Sequence, residues 1–160
     1  MGARLNAVPA RNRGGHGCLK RRDAPLRAVY RGAMTAFLLV FLGAGLGGAA
    51  RHAVNIGCGR WCGVGFPWGT LTVNVIGSFA MGLIAGWLAL KAGESWSQSA
   101  RLLLATGILG GFTTFSAFSL DAMLLWEGGS VVAAALYVLA SVIFSIAALA
   151  GALAIVRSLT

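Results

Sequence analysis

Four long apolar runs joined by short connectors constrain this chain more than any other feature. They are Thr35–Ala50 extended by Arg51 and His52, then Gly69–Leu90, Ala100–Trp126 and Val131–Val156. An α-helix needs about 20 apolar residues to cross roughly 30 Å of hydrocarbon. Inside a bilayer each backbone N–H and C=O must be satisfied by the protein, so such runs are helical. The expected fold is an all-α membrane protein with four transmembrane helices. The connectors are Ala53–Trp68, Lys91–Ser99 and Glu127–Ser130. The last is barely a turn, which makes the third and fourth helices a tight antiparallel hairpin. Ala53–Trp68 carries Gly57, Gly59, Gly63, Gly65 and Pro67 and reads as a loop or a short re-entrant piece. With 58% hydrophobic and 11% charged residues, the composition excludes a soluble globule.

The formal net charge of +9 suggests nucleic acid, but its distribution argues against that partner. Eight of the thirteen basic residues, from Arg4 to Arg31, precede Thr35. That stretch also holds Pro9 and Pro25 and lacks a signal-peptide apolar core. Residues 1–33 are read either as a disordered basic extension or as an over-extended start, with Met34 the true beginning. Residues 34–160 then form the membrane domain. Without the extension, Arg51 and Arg60 face one side and Lys91, Arg101 and Arg157 the other. That near balance removes the positive-inside bias and permits insertion both ways up. With the extension, the N-terminus is cytoplasmic. Cys18, Cys58 and Cys62 lack a second pair and a spaced His, so they make no metal motif.

The third run is interrupted chemically at Gly110-Gly111-Phe112-Thr113-Thr114-Phe115-Ser116-Ala117-Phe118-Ser119. Paired glycines lower helix propensity. A backbone group freed at mid-bilayer survives only beside protein or a polar cavity. The third helix is therefore expected to break near its middle, at a buried functional centre on an ion pathway.

The other helices contribute polar stripes. Thr70, Asn74, Ser78, Gly82 and Gly86 step by four along the second, and Tyr137, Ser141 and Ser145 along the fourth. Asn74 can donate to an anion or bond to a neighbouring helix, the commoner use of a membrane Asn. Phe115 and Phe118 share a face if the helix resumes after the break, and their ring edges are electropositive. Ring edges flanked by hydroxyl and amide donors partly resolvate an anion without a full charge, so it can enter and leave. In the first helix, Gly43, Gly47 and Arg51 step by four. The glycines suit close packing. Arg51 reads equally as an interfacial anchor or as an attractor of anions into a vestibule.

Together, Gly47-Gly48-Ala49-Ala50-Arg51, Gly69 through Phe79, Gly110 through Ser119 and the Tyr137/Ser141/Ser145 stripe resemble the Fluc (CrcB) fluoride channels. The resemblance covers Met34 to Thr160. It implies an antiparallel, dual-topology homodimer in the cell membrane that passively exports cytoplasmic fluoride. The pore residues it implies are Thr70, Asn74, Thr114, Phe115, Ser116, Phe118, Tyr137, Ser141 and Ser145, with Arg51 in the vestibule. It further implies a structural, untransported sodium ion at the dimer centre, held by the backbone carbonyls of Gly110 and Thr113. Two residues depart from the family pattern: Ala117 stands where Thr is usual, and His52 where an aromatic is.

No nucleotide motif, phosphate loop or embedded catalytic dyad suggests an enzyme or a pump. A proton-coupled cation exporter needs a carboxylate in its first helix, and none lies there. Asp121, late in the third run, is read as a boundary residue.

Overall fold

The computed structural model describes the backbone of residues 15–94 and 96–159, with side chains from residue 32 onward. The extension read into residues 1–33 therefore falls almost entirely outside the described side chains. Its first fourteen residues fall outside the described backbone as well. The chain divides into two units, Met1–Thr35 and Ala36–Thr160. The second unit contains the candidate site.

The helices in order are α1 (Gly15–Cys62), α2 (Trp68–Leu90), α3 (Ser97–Ala100), a π-helical stretch (Arg101–Leu109), α4 (Gly110–Phe112), α5 (Phe115–Glu127) and α6 (Val131–Ser158). No strand occurs among the described residues. Four spans are long and apolar enough to cross a bilayer: Gly32–Cys62, Trp68–Leu90, Ser97–Glu127 and Val131–Ser158.

The reading of Ala53–Trp68 as a loop needs correction. Helix α1 continues to Cys62, and the connector to α2 is reduced to five residues, 63–67. Gly57 and Gly59 are tolerated within the helix. The chain turns only at Gly63, whose φ of 80° is the left-handed conformation that ends helices.

Helix α1 meets the third span backbone to backbone. A Cβ at Gly43 would lie 2.8 Å from the Leu103 carbonyl oxygen and 2.9 Å from Gly107 Cα. One at Gly47 would collide with the Ile108 carbonyl oxygen and lie 2.7 Å from the Phe112 nitrogen. Glycine is required at Gly47 because fixed backbone, not a movable side chain, fills the space. The small-residue spacing read from the sequence thus faces the third span. There the Arg101–Leu109 backbone is π-helical, a wider coil with N–H groups bonding five residues back. Accordingly, the Gly110 N–H reaches the Ala105 carbonyl. Helix α2 packs extensively along α6, and α5 packs back on α6 through the short turn after Glu127.

Candidate functional site

Between the upper and lower halves of the third span, the backbone leaves the helix for two residues. Thr113 (φ −74°, ψ 155°) and Thr114 (φ −153°, ψ 119°) are both extended. The upper helix is closed by Thr113, whose N–H and Oγ1 each donate to the Leu109 carbonyl at 2.9 Å. The lower helix is opened by Thr114, whose Oγ1 accepts from the Ala117 N–H at 3.3 Å. A Thr N-cap of this kind satisfies an otherwise orphaned helix donor. Ser116 turns its hydroxyl toward the same Thr114 oxygen, at 3.2 Å.

Asn74 of α2 holds the interruption open. Its Oδ1 accepts from the Thr114 N–H at 2.9 Å, and its Nδ2 donates to the Thr114 carbonyl at 3.1 Å. One carboxamide therefore pairs with both groups of a single peptide residue, as a neighbouring strand would. Gly77 lies one turn further along α2, and a Cβ there would collide with Thr113 Cγ2. Its lack of a side chain lets α2 approach the break closely.

Four carbonyls, those of Gly110, Gly111, Phe112 and Thr113, lose their helical donors across this interruption. In an unbroken helix the Thr114 N–H would bond to Gly110, four residues back. Here it belongs to Asn74. Likewise the Ala117 N–H, which would bond to Thr113, is taken by the Thr114 hydroxyl. Gly110 and Thr113 each lose their helical donor, and Gly110 is exposed at the protein surface.

A cavity of about 380 Å³ opens beside the break. Asn74, Ser78, Thr113, Thr114, Phe115, Phe118, Ser141 and Ser145 line it, with Met81 and Leu149 toward one end. The rings of Phe115 and Phe118 stand 5.5 Å apart at 45°. Phe118 is half-buried, whereas Phe115 is 79% exposed and projects from the unit. Ser141 is buried, and its Oγ has no hydrogen-bond partner among the described residues. An uncompensated buried hydroxyl is costly unless something binds it.

The remaining residues expected in the pathway lie elsewhere. Tyr137 is fully buried, with its ring 5.4 Å from Phe118 and edge-on to Phe66 at 5.6 Å. Its hydroxyl donates to Asp121 Oδ2 at 3.4 Å, with the Thr70 and Ser141 hydroxyls nearby. Thr70 is buried and lines a second cavity of about 420 Å³, together with Asn55, Cys58, Phe66 and Asp121. Arg51 is half-buried on α1 and lines neither cavity.

Asp121, six residues before the end of α5, also has a structural partner: it is the acceptor for the most deeply buried polar side chain of α6. The available signal was an acid within an otherwise uncharged run. Its partner, sixteen residues away on another helix, carries no signal in local spacing.

Comparison with known proteins agrees with this architecture. The family described as "CrcB-like protein, Camphor Resistance (CrcB)" matches residues 38–153. A protein of Rhodopseudomonas palustris (strain BisB5) named "Fluoride-specific ion channel FluC" is 58% identical over 124 residues, covering 78% of this chain and 98% of the relative. One of the same name from Methylobacterium nodulans is 57% identical over 120 residues, covering 75% of this chain and 94% of the relative. "Fluoride-specific ion channel FluC 2" of Nitrobacter hamburgensis is 54% identical over 124 residues, covering 78% of this chain and 98% of the relative. These relatives are named as channels, not enzymes, and four spans make this chain a multi-pass protein of the cell membrane. With a family match across most of its length and relatives more than half identical, this chain belongs to the CrcB (FluC) family.

Proposed function

We propose that this protein is a passive, fluoride-specific channel that exports cytoplasmic fluoride and works as an antiparallel, dual-topology homodimer. The observation that carries the reading is the convergence on one cavity of an orphaned hydroxyl, Ser141 Oγ, and the Phe115–Phe118 ring pair. Fluoride entering from water must replace strong hydration. Hydroxyl donors from Ser141 and Ser145, and the electropositive ring edges of Phe115 and Phe118, supply weak sites in succession. Weak sites in series let an ion bind and leave, which conduction requires. The negative-inside potential drives the anion outward, at about 2.3 kcal/mol per charge for 100 mV.

The exposure of Phe115 favours a second copy. A ring 79% exposed beside a polar cavity closes that cavity only when another subunit lies against it. Balanced basic residues on the two sides of Met34–Thr160 favour insertion in both orientations. Arg51, half-buried and three turns before the end of α1, is assigned to a vestibule that gathers anions.

Gly110 and Thr113 fit a structural sodium ion, because their carbonyls are two of the four without helical donors at the interruption and are hard oxygen ligands. Contributed by two copies, four such oxygens would make a cation cage at the dimer centre. When bound, sodium supplies a fixed positive charge that ties the two interruptions together.

Liposomes containing the purified protein test the reading. Fluoride efflux fast relative to chloride efflux is expected, and equal permeability or no flux from a folded dimer would overturn it. Replacing sodium with a large organic cation on both sides should lower the melting temperature of the dimer. An unchanged melting temperature would remove the metal from the account.

A further inference from the structure

A third cavity, of about 500 Å³, lies toward the far end of α2 and shares only Met81 with the central cavity. Its floor is apolar: Met81, Ala85, Leu88 and Ala89 from α2, with Ala105 from the π-helical stretch. Its rim is polar: Ser97, Gln98 and Arg101. Arg101 is exposed and is the one charged residue among the described lining.

The depth of this cavity follows from its neighbours. Helix α2 ends at Leu90, and the third span begins at Ser97. Trp87 and Trp96 pack together beside it, with ring centroids 5.2 Å apart, and both are partly exposed. Tryptophans of this kind mark the headgroup level, where one edge is apolar and the other wet. The Trp96 indole N–H donates to Glu94 Oε2 at 3.2 Å, so this acid is engaged outside the cavity. Lys91 adds a second exposed cation at the same end.

We propose that this cavity is a binding site for one anionic phospholipid. The phosphate sits at Arg101 with Gln98, while the Ser97 hydroxyl at the rim donates to the Glu94 carbonyl at 2.8 Å, and an acyl-chain segment covers Leu88, Ala89, Ala85 and Met81. A guanidinium presents a fork of donors that matches phosphate geometry. The alanines leave the groove that the chain occupies. A free phosphate would satisfy Arg101 but leave the apolar floor uncovered. A zwitterionic lipid would bring its own cation to the rim.

Native mass spectrometry of the full chain tests this, titrating with phosphatidylglycerol, phosphatidylcholine or soluble glycerol phosphate. Phosphatidylglycerol adducts should exceed phosphatidylcholine adducts by about fivefold, as expected for one basic residue at an anionic surface. Arg101→Gln should abolish that preference, Arg101→Lys should restore part of it, and Lys91→Gln should leave it intact. Ala89→Phe, which fills the floor, should reduce binding of the lipid. The proposal is overturned if Arg101→Gln keeps the preference or if Lys91→Gln loses as much. It is equally overturned if soluble glycerol phosphate displaces the lipid at matched concentration. Fluoride efflux by Arg101→Gln separates this outcome from failure of the channel reading, since Arg101 lines no part of the central cavity.

Discussion

The carboxamide of Asn74 pairs with both the N–H and the carbonyl of Thr114, forty residues later in the chain, at 2.9 and 3.1 Å. This pair keeps a two-residue extended segment from closing into helix, and it leaves the Gly110 carbonyl without its donor. The same side chain borders the cavity assigned to fluoride. Asn74 is thus first a backbone clamp and, through that clamp, an organiser of the pathway.

Asn74→Leu should lower stability and flux together. It leaves the partly buried Thr114 N–H unpaired, at about 1–3 kcal/mol, and takes one donor from the Thr114 carbonyl, which still closes the first turn of α5. Asn74→Asp keeps the acceptor for the Thr114 N–H but loses the donor, so its melting temperature should fall less. Its added negative charge at the cavity should still cut fluoride efflux at least about tenfold, since 1.4 kcal/mol of repulsion suffices. Thermal melts followed by tryptophan fluorescence, beside liposome efflux, separate the two effects.

Phe115→Ile and Phe118→Ile should both suppress flux, because aliphatic edges carry no positive quadrupole. Their folding consequences should differ. Phe118 packs against Tyr137 at 5.4 Å, so its loss removes core contact. Phe115 is largely exposed within one chain and should leave the unit's own stability nearly unchanged. Normal efflux by Phe115→Ile would detach this ring from the pathway.

Asp121 offers a graded test. Asp121→Asn retains an oxygen acceptor for the Tyr137 hydroxyl and should be mild. Asp121→Ala removes the carboxylate acceptor of a fully buried hydroxyl, leaving it only the neighbouring Thr70 and Ser141 hydroxyls, and should cost about 1–3 kcal/mol. Equal melting temperatures for the two variants would show that the hydrogen bond contributes nothing.

Gly47→Leu and Gly45→Leu form a matched pair on α1. A side chain at Gly47 meets the backbone of Ile108 and Phe112, which has no room to yield. Overpacking of this kind costs about 1–3 kcal/mol or more. Nothing lies within 4 Å of a Cβ at Gly45. Yield of folded protein and melting temperature should drop for the first variant and hold for the second.

The four spans and their order were legible in the sequence by itself. Backbone hydrogen bonding in hydrocarbon is obligatory, so an apolar run of sufficient length has one local solution. The unusual chemistry of Gly110–Ser119 was equally plain, as were the hydroxyl stripes, because helical periodicity is a local property. The end of α1 was not. Glycines at Gly57 and Gly59 look like loop signals, yet only Gly63 adopts a conformation that requires one. Nor was the π-helical backbone of Arg101–Leu109, whose five-residue closure leaves no mark in a sequence read at a period of 3.6.

Tertiary structure alone decided what each polar side chain touches. It turned Asn74 onto Thr114, drew Tyr137 to Asp121, and left the Ser141 hydroxyl beside Tyr137 with no close hydrogen bond among the described residues. It also placed Thr70 beside a different cavity from Ser145. Such pairings depend on how neighbouring helices are rotated and how far one is shifted along another. Those quantities are set by close approach at positions such as Gly47, against backbone, and Gly77, against the Thr113 side chain, summed over whole interfaces, and no local spacing encodes them.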